Sequence, residues 1–160
     1  MTSFARHPLQ VRRYQEEDAT SVWNLHVRTM EEAGVSVERC SWDGDLHTIA
    51  GSYLSRGDFL VVLDGAEVVA MGGFVPADET TADIRKMRVT SRLQGQGVGR
   101  LLLGRLEDRA REMRYQKVQL ETGVILRAAI HLYRSAGYRE IRRGPGPDGG
   151  WQIFFEKSLT

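Results

Sequence analysis

The chain has 160 residues, 41% hydrophobic and 27% charged, with a formal net charge of +1. That length gives one domain a real core with little room for a second, and the near-neutral balance argues against a general nucleic-acid binder. No apolar run approaches the ~20 residues that span a bilayer, the opening MTSFARHPLQ lacks an apolar signal region, and one cysteine, Cys40, excludes an internal disulfide or cysteine-rich metal site. The expectation is therefore a single domain over residues 1–160 in a reducing, cytoplasmic setting, with no nucleic acid, no membrane and no metal. Cys40 reads as a packed or incidental thiol.

Val11 to Tyr14 reads as a first strand. Glu16-Glu17-Asp18 then opens a helix carrying Val22, Trp23, Leu25, His26 and Met30, its acids at the end where the helix dipole favours them. Gly34 closes it. A second helix is expected from about Asp43 to Leu54. Phe59 to Leu63 is a buried-type strand, and Asp64-Gly65 a hairpin signal. Glu67 to Val75 returns antiparallel, and a third strand follows from about Ala82 to Val89. Val98, Leu102, Leu106, Ala110 and Met113 then recur at helical spacing. Lys117 to Glu121 is a strand. Ala128 to Tyr133 mark a further helix that Gly137 caps. Strands at Tyr138 to Arg142 and Trp151 to Glu156 flank the irregular loop Gly144–Gly150. The order βααβββαβαββ is a mixed α+β sheet, and the crossover around the long helix requires a local parallel pair.

The stretch QGQGVGRLLL, Gln94 to Leu103, places three glycines directly before the long helix. A helix start presents unpaired N–H groups and about half a positive charge, so it is a natural anion site. No Gly-Lys-Ser/Thr closes a Walker loop, and GxGxG after a meander is not the dinucleotide fingerprint. From spacing alone two readings stand: a phosphate cradle, or a tight strand-to-helix turn packed against a neighbour.

Gln94-Gly95-Gln96-Gly97-Val98-Gly99 resembles the Q/R-x-x-G-x-G/A signature of the GNAT superfamily of N-acetyltransferases. The likeness extends to Asp83–Val89 before it, and to Leu120-Glu121-Thr122-Gly123 with Ala129–Tyr138 after it, which is similar to the LETG…AIxLYxxxGF/Y segment. It is strongest over residues 83–138. What it implies is a central, mostly antiparallel sheet flanked by helices, with a V-shaped splay between the strands at 82–89 and 117–121. The bound anion would be the pyrophosphate of acetyl-CoA, cradled by Gln94, Gly95, Gln96, Gly97, Val98, Gly99 and Arg100. Pantetheine would lie along Met87, Arg88 and Val89 like an added strand, and a backbone N–H there would polarise the thioester carbonyl.

Tyr133 occupies the LY position, where the resemblance implies a contact to the cofactor and the acid that protonates the departing thiolate. Asp83 stands eleven positions before Gln94, where some members carry a glutamate base. Strand parity puts it on one face with Arg85, Met87 and Val89. Glu121 is a second candidate base, and His26 and His131 are further ones. Leu126 stands where many relatives carry an asparagine that helps hold the cofactor. The acceptor amine, a small or amino-acid-like molecule or else a protein N-terminus or lysine, would meet Trp23, His26, Glu31, Glu32, Trp42, Asp43 and Trp151. Arg85, Arg127, Arg134, Arg142 and Arg143 are candidates for the CoA 3′-phosphate or a solvated face. A homodimer is the common assembly. The other classes are a non-catalytic acyl-CoA sensor and a scaffold whose glycines serve packing alone.

Overall fold

The computed structural model describes residues 5–37, 41–146 and 149–160; Cys40 lies outside them. Seven strands form one sheet: β1 (Leu9–Arg13), β2 (Asp58–Asp64), β3 (Glu67–Pro76), β4 (Thr81–Val89), β5 (Lys117–Gly123), β6 (Arg139–Pro145) and β7 (Trp151–Ser158). Their spatial order is β1-β2-β3-β4-β5-β7-β6. All neighbours are antiparallel except β4 and β5. That parallel pair is the one the long crossover helix demands. The α-helices are α1 (Ala19–Glu32), α2 (Ile49–Tyr53), α3 (Val98–Glu112) and α4 (Arg127–Ser135).

The apolar periodicities build two cores, one on each face of the sheet. Leu102, Leu103, Leu106 and Ala110 of α3 pack with Val62, Phe74, Val118 and Phe155. Val22 and Leu25 of α1 pack with Tyr53, Phe59, Val61 and Met71. Each fully buried leucine contributes about 1.5–3 kcal/mol relative to exposure. The expected second helix is instead a 3-10 segment, Ser41–His47, followed by the single turn of α2. The break has a local cause: Asp43 and Asp45 turn their carboxylates inward, to His26 and Tyr53 respectively, and Thr48 leaves helical geometry at φ −138°. Gly137, at φ +91°, ends α4 as its position predicts.

Two features of β4 shape the site. It pairs with β5 only at Thr81–Asp83, against Lys117–Gln119. From Ile84 onward the two strands part, giving the expected splay, and β4 shows an edge that no strand pairs, its Met87 and Val89 carbonyls accepting from the Arg88 and Gln94 side chains. The second feature is a bulge. Gly73 faces Arg85 and Met71 faces Arg88, so Lys86 and Met87 together oppose Gly72. Lys86 adopts φ +60°, and the alternation changes phase there. Strand parity is thus wrong beyond Arg85. Met87 and Val89 pack on the α3 side, whereas the side chain of Arg88 turns beneath α1 to reach His26.

Candidate active site

The splay opens into a slot of about 1010 Å³, lined by β4, the glycine stretch, the start of α3, β5, α4 and the C-terminal end of α1. At one end stands the mouth of α3. Gly95 and Gly97 have φ of +78° and +85°, left-handed values that cost other L-residues about 1–2 kcal/mol. Among the described residues, chain neighbours aside, no atom lies within 4 Å of where a Cβ on either would stand, so this backbone is bare. Leu101 is the first residue whose N–H reaches back along the helix, to the Gly97 carbonyl at 3.0 Å. The N–H groups of Gly97, Val98, Gly99 and Arg100 precede it and have no helical acceptor.

The glycines divide by position. Gly95 and Gly97 serve an open mouth. Gly99 serves packing: a Cβ there would meet Leu132 of α4 at 3.0 Å. Gln94 departs from its expected place in the cradle, since its N–H bonds to the Ser91 carbonyl at 3.3 Å. Its side-chain amide donates to the Val89 carbonyl at 3.0 Å, which ties the loop to the end of β4. Arg100 donates to the Ser135 hydroxyl at 2.7 Å and so joins α3 to α4.

Tyr133 closes the slot from α4, 4% exposed, with its ring against Tyr138 and Phe155. Burial pushes its phenol up to about 12, while the charge of Arg88 pulls the other way. Among the described residues its hydroxyl has no hydrogen-bond partner, so the proton is available to a ligand. Asp83 and Glu121 stand on the two parting strands. Burial raises the Asp83 carboxyl above its usual range, against Arg85 at 2.8 Å and a bond from Gln119. Burial, and next the charge of Asp83, raise Glu121. Both shifts bring a carboxylate closer to the pH of use.

On the α1 face a chain of buried polar groups lies behind β4. Asp43 accepts from Lys86 Nζ and pairs with His26 Nε2, each at 2.9 Å. His26, wholly buried, takes Arg88 Nε on its Nδ1 at 3.3 Å. That bond fixes the tautomer: Nδ1 accepts, so Nε2 carries the proton and donates to Asp43. Burial lowers the His26 pKa, opposed by Asp43 and assisted by Arg88 and Lys86. For Asp43, burial is outweighed by the bonds from His26 and Lys86, which hold it at about 2. Arg88 also donates to the Met87 carbonyl at 2.8 Å.

The expected acceptor residues divide. Glu32 and Trp151 line the slot. Trp23 stacks on His47 at 4.3 Å, and His26 and Asp43 are bonded to each other behind β4; the side chain of Trp42 lies outside the described residues. His131 is exposed. Leu126 begins α4, its N–H bonded to the Gly123 carbonyl at 3.0 Å. Among the arginines, Arg134 and Arg143 pair with Glu140, and Arg142 lies 3.6 Å from the centre of the Phe154 ring. Sequence parity missed Arg88 and Lys86 as side chains of this site. The missing signal was the bulge, for which Gly72-Gly73 opposite was the available hint.

Residues 14–138 match the acetyltransferase (GNAT) family. The chain is 35% identical over 120 residues to an IAA acetyltransferase of Azospirillum brasilense, covering 72% of this chain and 74% of that one. It spans less than half the length of its mouse and human relatives. An acetyltransferase of the GNAT family from Staphylococcus aureus superposes with a TM-score of 0.84 at 21% identity, over 95% of this chain and 99% of that one. The yncA protein of Salmonella typhimurium, solved with its cofactor acetyl-CoA, superposes at 0.77 with 19% identity, over 95% and 94%.

Proposed function

Since this chain belongs to the acetyltransferase (GNAT) family and is an acyltransferase, we propose that it moves an acetyl group from acetyl-CoA to a small primary amine within a ternary complex. The observation that carries this is the bare mouth of α3, with Gly95 and Gly97 left-handed, opening on the same slot as the edge of β4 that no strand pairs. Unpaired N–H groups at a helix start suit a diphosphate. An unpaired strand edge suits the amides of pantetheine. The residues therefore fit acetyl-CoA, and a N–H of Met87 or Val89 would polarise its carbonyl.

The reaction follows from the groups lining the slot. Asp83, or Glu121 beside it, takes a proton from the ammonium, directly or through water. The amine nitrogen then forms a bond to the carbonyl carbon. The carbon–sulfur bond breaks, the Tyr133 hydroxyl gives its proton to the departing thiolate, and the proton that the nitrogen loses on becoming an amide returns to the phenolate through water. The phenol is protonated at neutral pH and, raised to about 12, is a weaker acid than a thiol near ~8.5, so it stabilises the departing thiolate by hydrogen bonding and transfer is completed as the amide proton reaches the phenol oxygen. The single cysteine agrees with a reducing, cytoplasmic setting.

The test is acetyl-CoA calorimetry beside a free-thiol assay with an amine panel. Acetyl-CoA binding with amine-dependent thiol release is expected. Binding without release from any amine would leave a sensor module. No heat at millimolar acetyl-CoA would leave a scaffold.

A further inference from the structure

We propose that Arg88 binds a carboxylate in the acceptor subsite, and that the acceptor is an amino acid or another small amine bearing a carboxylate. The proposal rests on the acetyltransferase reading and names the substrate class of that same site. Three cations leave β4 in succession around the bulge. Arg85 pairs with Asp83 at 2.8 Å, and Lys86 with Asp43 at 2.9 Å. Arg88 differs. Its bonded partners are neutral acceptors, the Nδ1 of His26 and the carbonyl of Met87. Among the described residues no carboxylate forms an ion pair with it. A guanidinium half withdrawn from water without an anion carries a desolvation cost, and this one lines the slot with further N–H donors unspent.

The surroundings maintain that state. His26 is held by Asp43 as the tautomer that accepts from Arg88, so the imidazole orients the guanidinium without neutralising it. Arg88 lies on the α1 face of the sheet, whereas the mouth of α3 belongs to the other face. The diphosphate and the Arg88 anion are therefore separate ligands. A planar fork of donors matches a carboxylate. The complementary charge stands in the same slot, where Asp83 and Glu121 line the two parting strands. A zwitterion offers its carboxylate to Arg88 and its ammonium to Asp83 or Glu121, the candidate bases.

The experiment offers each of the proteinogenic L-amino acids, beside its own carboxamide, to the full chain with acetyl-CoA and follows free thiol. Calorimetry follows binding of the same pairs to CoA-saturated protein. The expected result is kcat/KM for the best amino acid about 100-fold above that for its carboxamide. Arg88→Gln should erase this preference, bringing the pair within about threefold, and Arg88→Lys should restore part of it. Carboxamides used as well as the acids, or a variant that weakens both alike or weakens acetyl-CoA instead, would overturn the proposal. Amino-acid binding that needs Arg88 without thiol release would uphold the subsite and end the transferase reading. Amides turned over with acids inert would do the reverse. Neither binding nor reaction of any pair would overturn the subsite.

Discussion

Tyr133 and Asp83 carry the proton transfers of the proposed reaction, and their environments make different demands. The Tyr133 phenol is buried and unpartnered, so its removal costs little packing and one proton donor. Tyr133→Phe should lower kcat about 10²-fold or more while leaving acetyl-CoA affinity within about twofold. Unchanged kcat, with chemistry shown to be rate-limiting, would remove the acid role. Asp83 acts only when ionised, and burial sets its folded pKa above the usual carboxylate value. Activity should therefore rise with pH through that raised value, and Asp83→Asn should abolish the acid limb of the kcat/KM profile. If Glu121→Gln does so instead, the base is Glu121. Of these residues Tyr133 was legible from its place in a motif. Asp83 and Glu121 were named from their places in the family resemblance, and the structure brings both to the slot that Tyr133 lines.

At the scale of elements, the glycine stretch and the bulge of β4 show what a sequence discloses and what it hides. Alternate glycines before a helical stripe announce an unusual backbone, yet spacing cannot say which glycine serves conformation and which serves contact. The structure separates them. Gly97→Val should abolish measurable acetyl-CoA binding, because φ +85° is strained for valine and a branched side chain would occupy the mouth. Retained micromolar affinity in calorimetry would refute the cradle. Gly104 in α3 is the control: its φ is not left-handed and nothing lies within 4 Å of its missing Cβ. Gly104→Ala should raise stability by about 0.5–1 kcal/mol in urea titration and leave binding unchanged. The bulge carried no such announcement. One extra residue reverses every later side chain, so parity placed Met87 on the wrong face and concealed Arg88. The break between Ser41–His47 and α2 was hidden for a related reason: inward carboxylates at Asp43 and Asp45 are decided by partners far along the chain.

The whole molecule brings these scales together through pH. The order of elements and the parallel pair were readable because each is fixed by local periodicity and by the length of a crossover, whereas the splay was implied only by the family resemblance. The charge network behind β4 was not, because it joins residues from α1, the 3-10 segment and the bulged strand. That network has a signature in stability. His26 is buried neutral, with its folded pKa below the ordinary 6.5. As pH falls through 6.5 the unfolded chain takes up a proton that the folded chain refuses, so stability declines. Asp43 is held at about 2 against 3.8 unfolded, and Asp18, bonded to Arg12, is lowered too. Their contribution is complete above 3.8 and is lost as pH falls through their folded values. Asp83 and Glu121 oppose this in sign, since raised carboxyls favour folding as they protonate. The thermal midpoint should therefore fall from about pH 6.5 downward and fall again below about pH 4. His26→Gln should remove the first decline and keep the second. A decline between pH 7 and 5 that is no smaller in His26→Gln than in the parent chain would mean that His26 titrates normally, and would dissolve the argument that it orients Arg88 as a neutral acceptor.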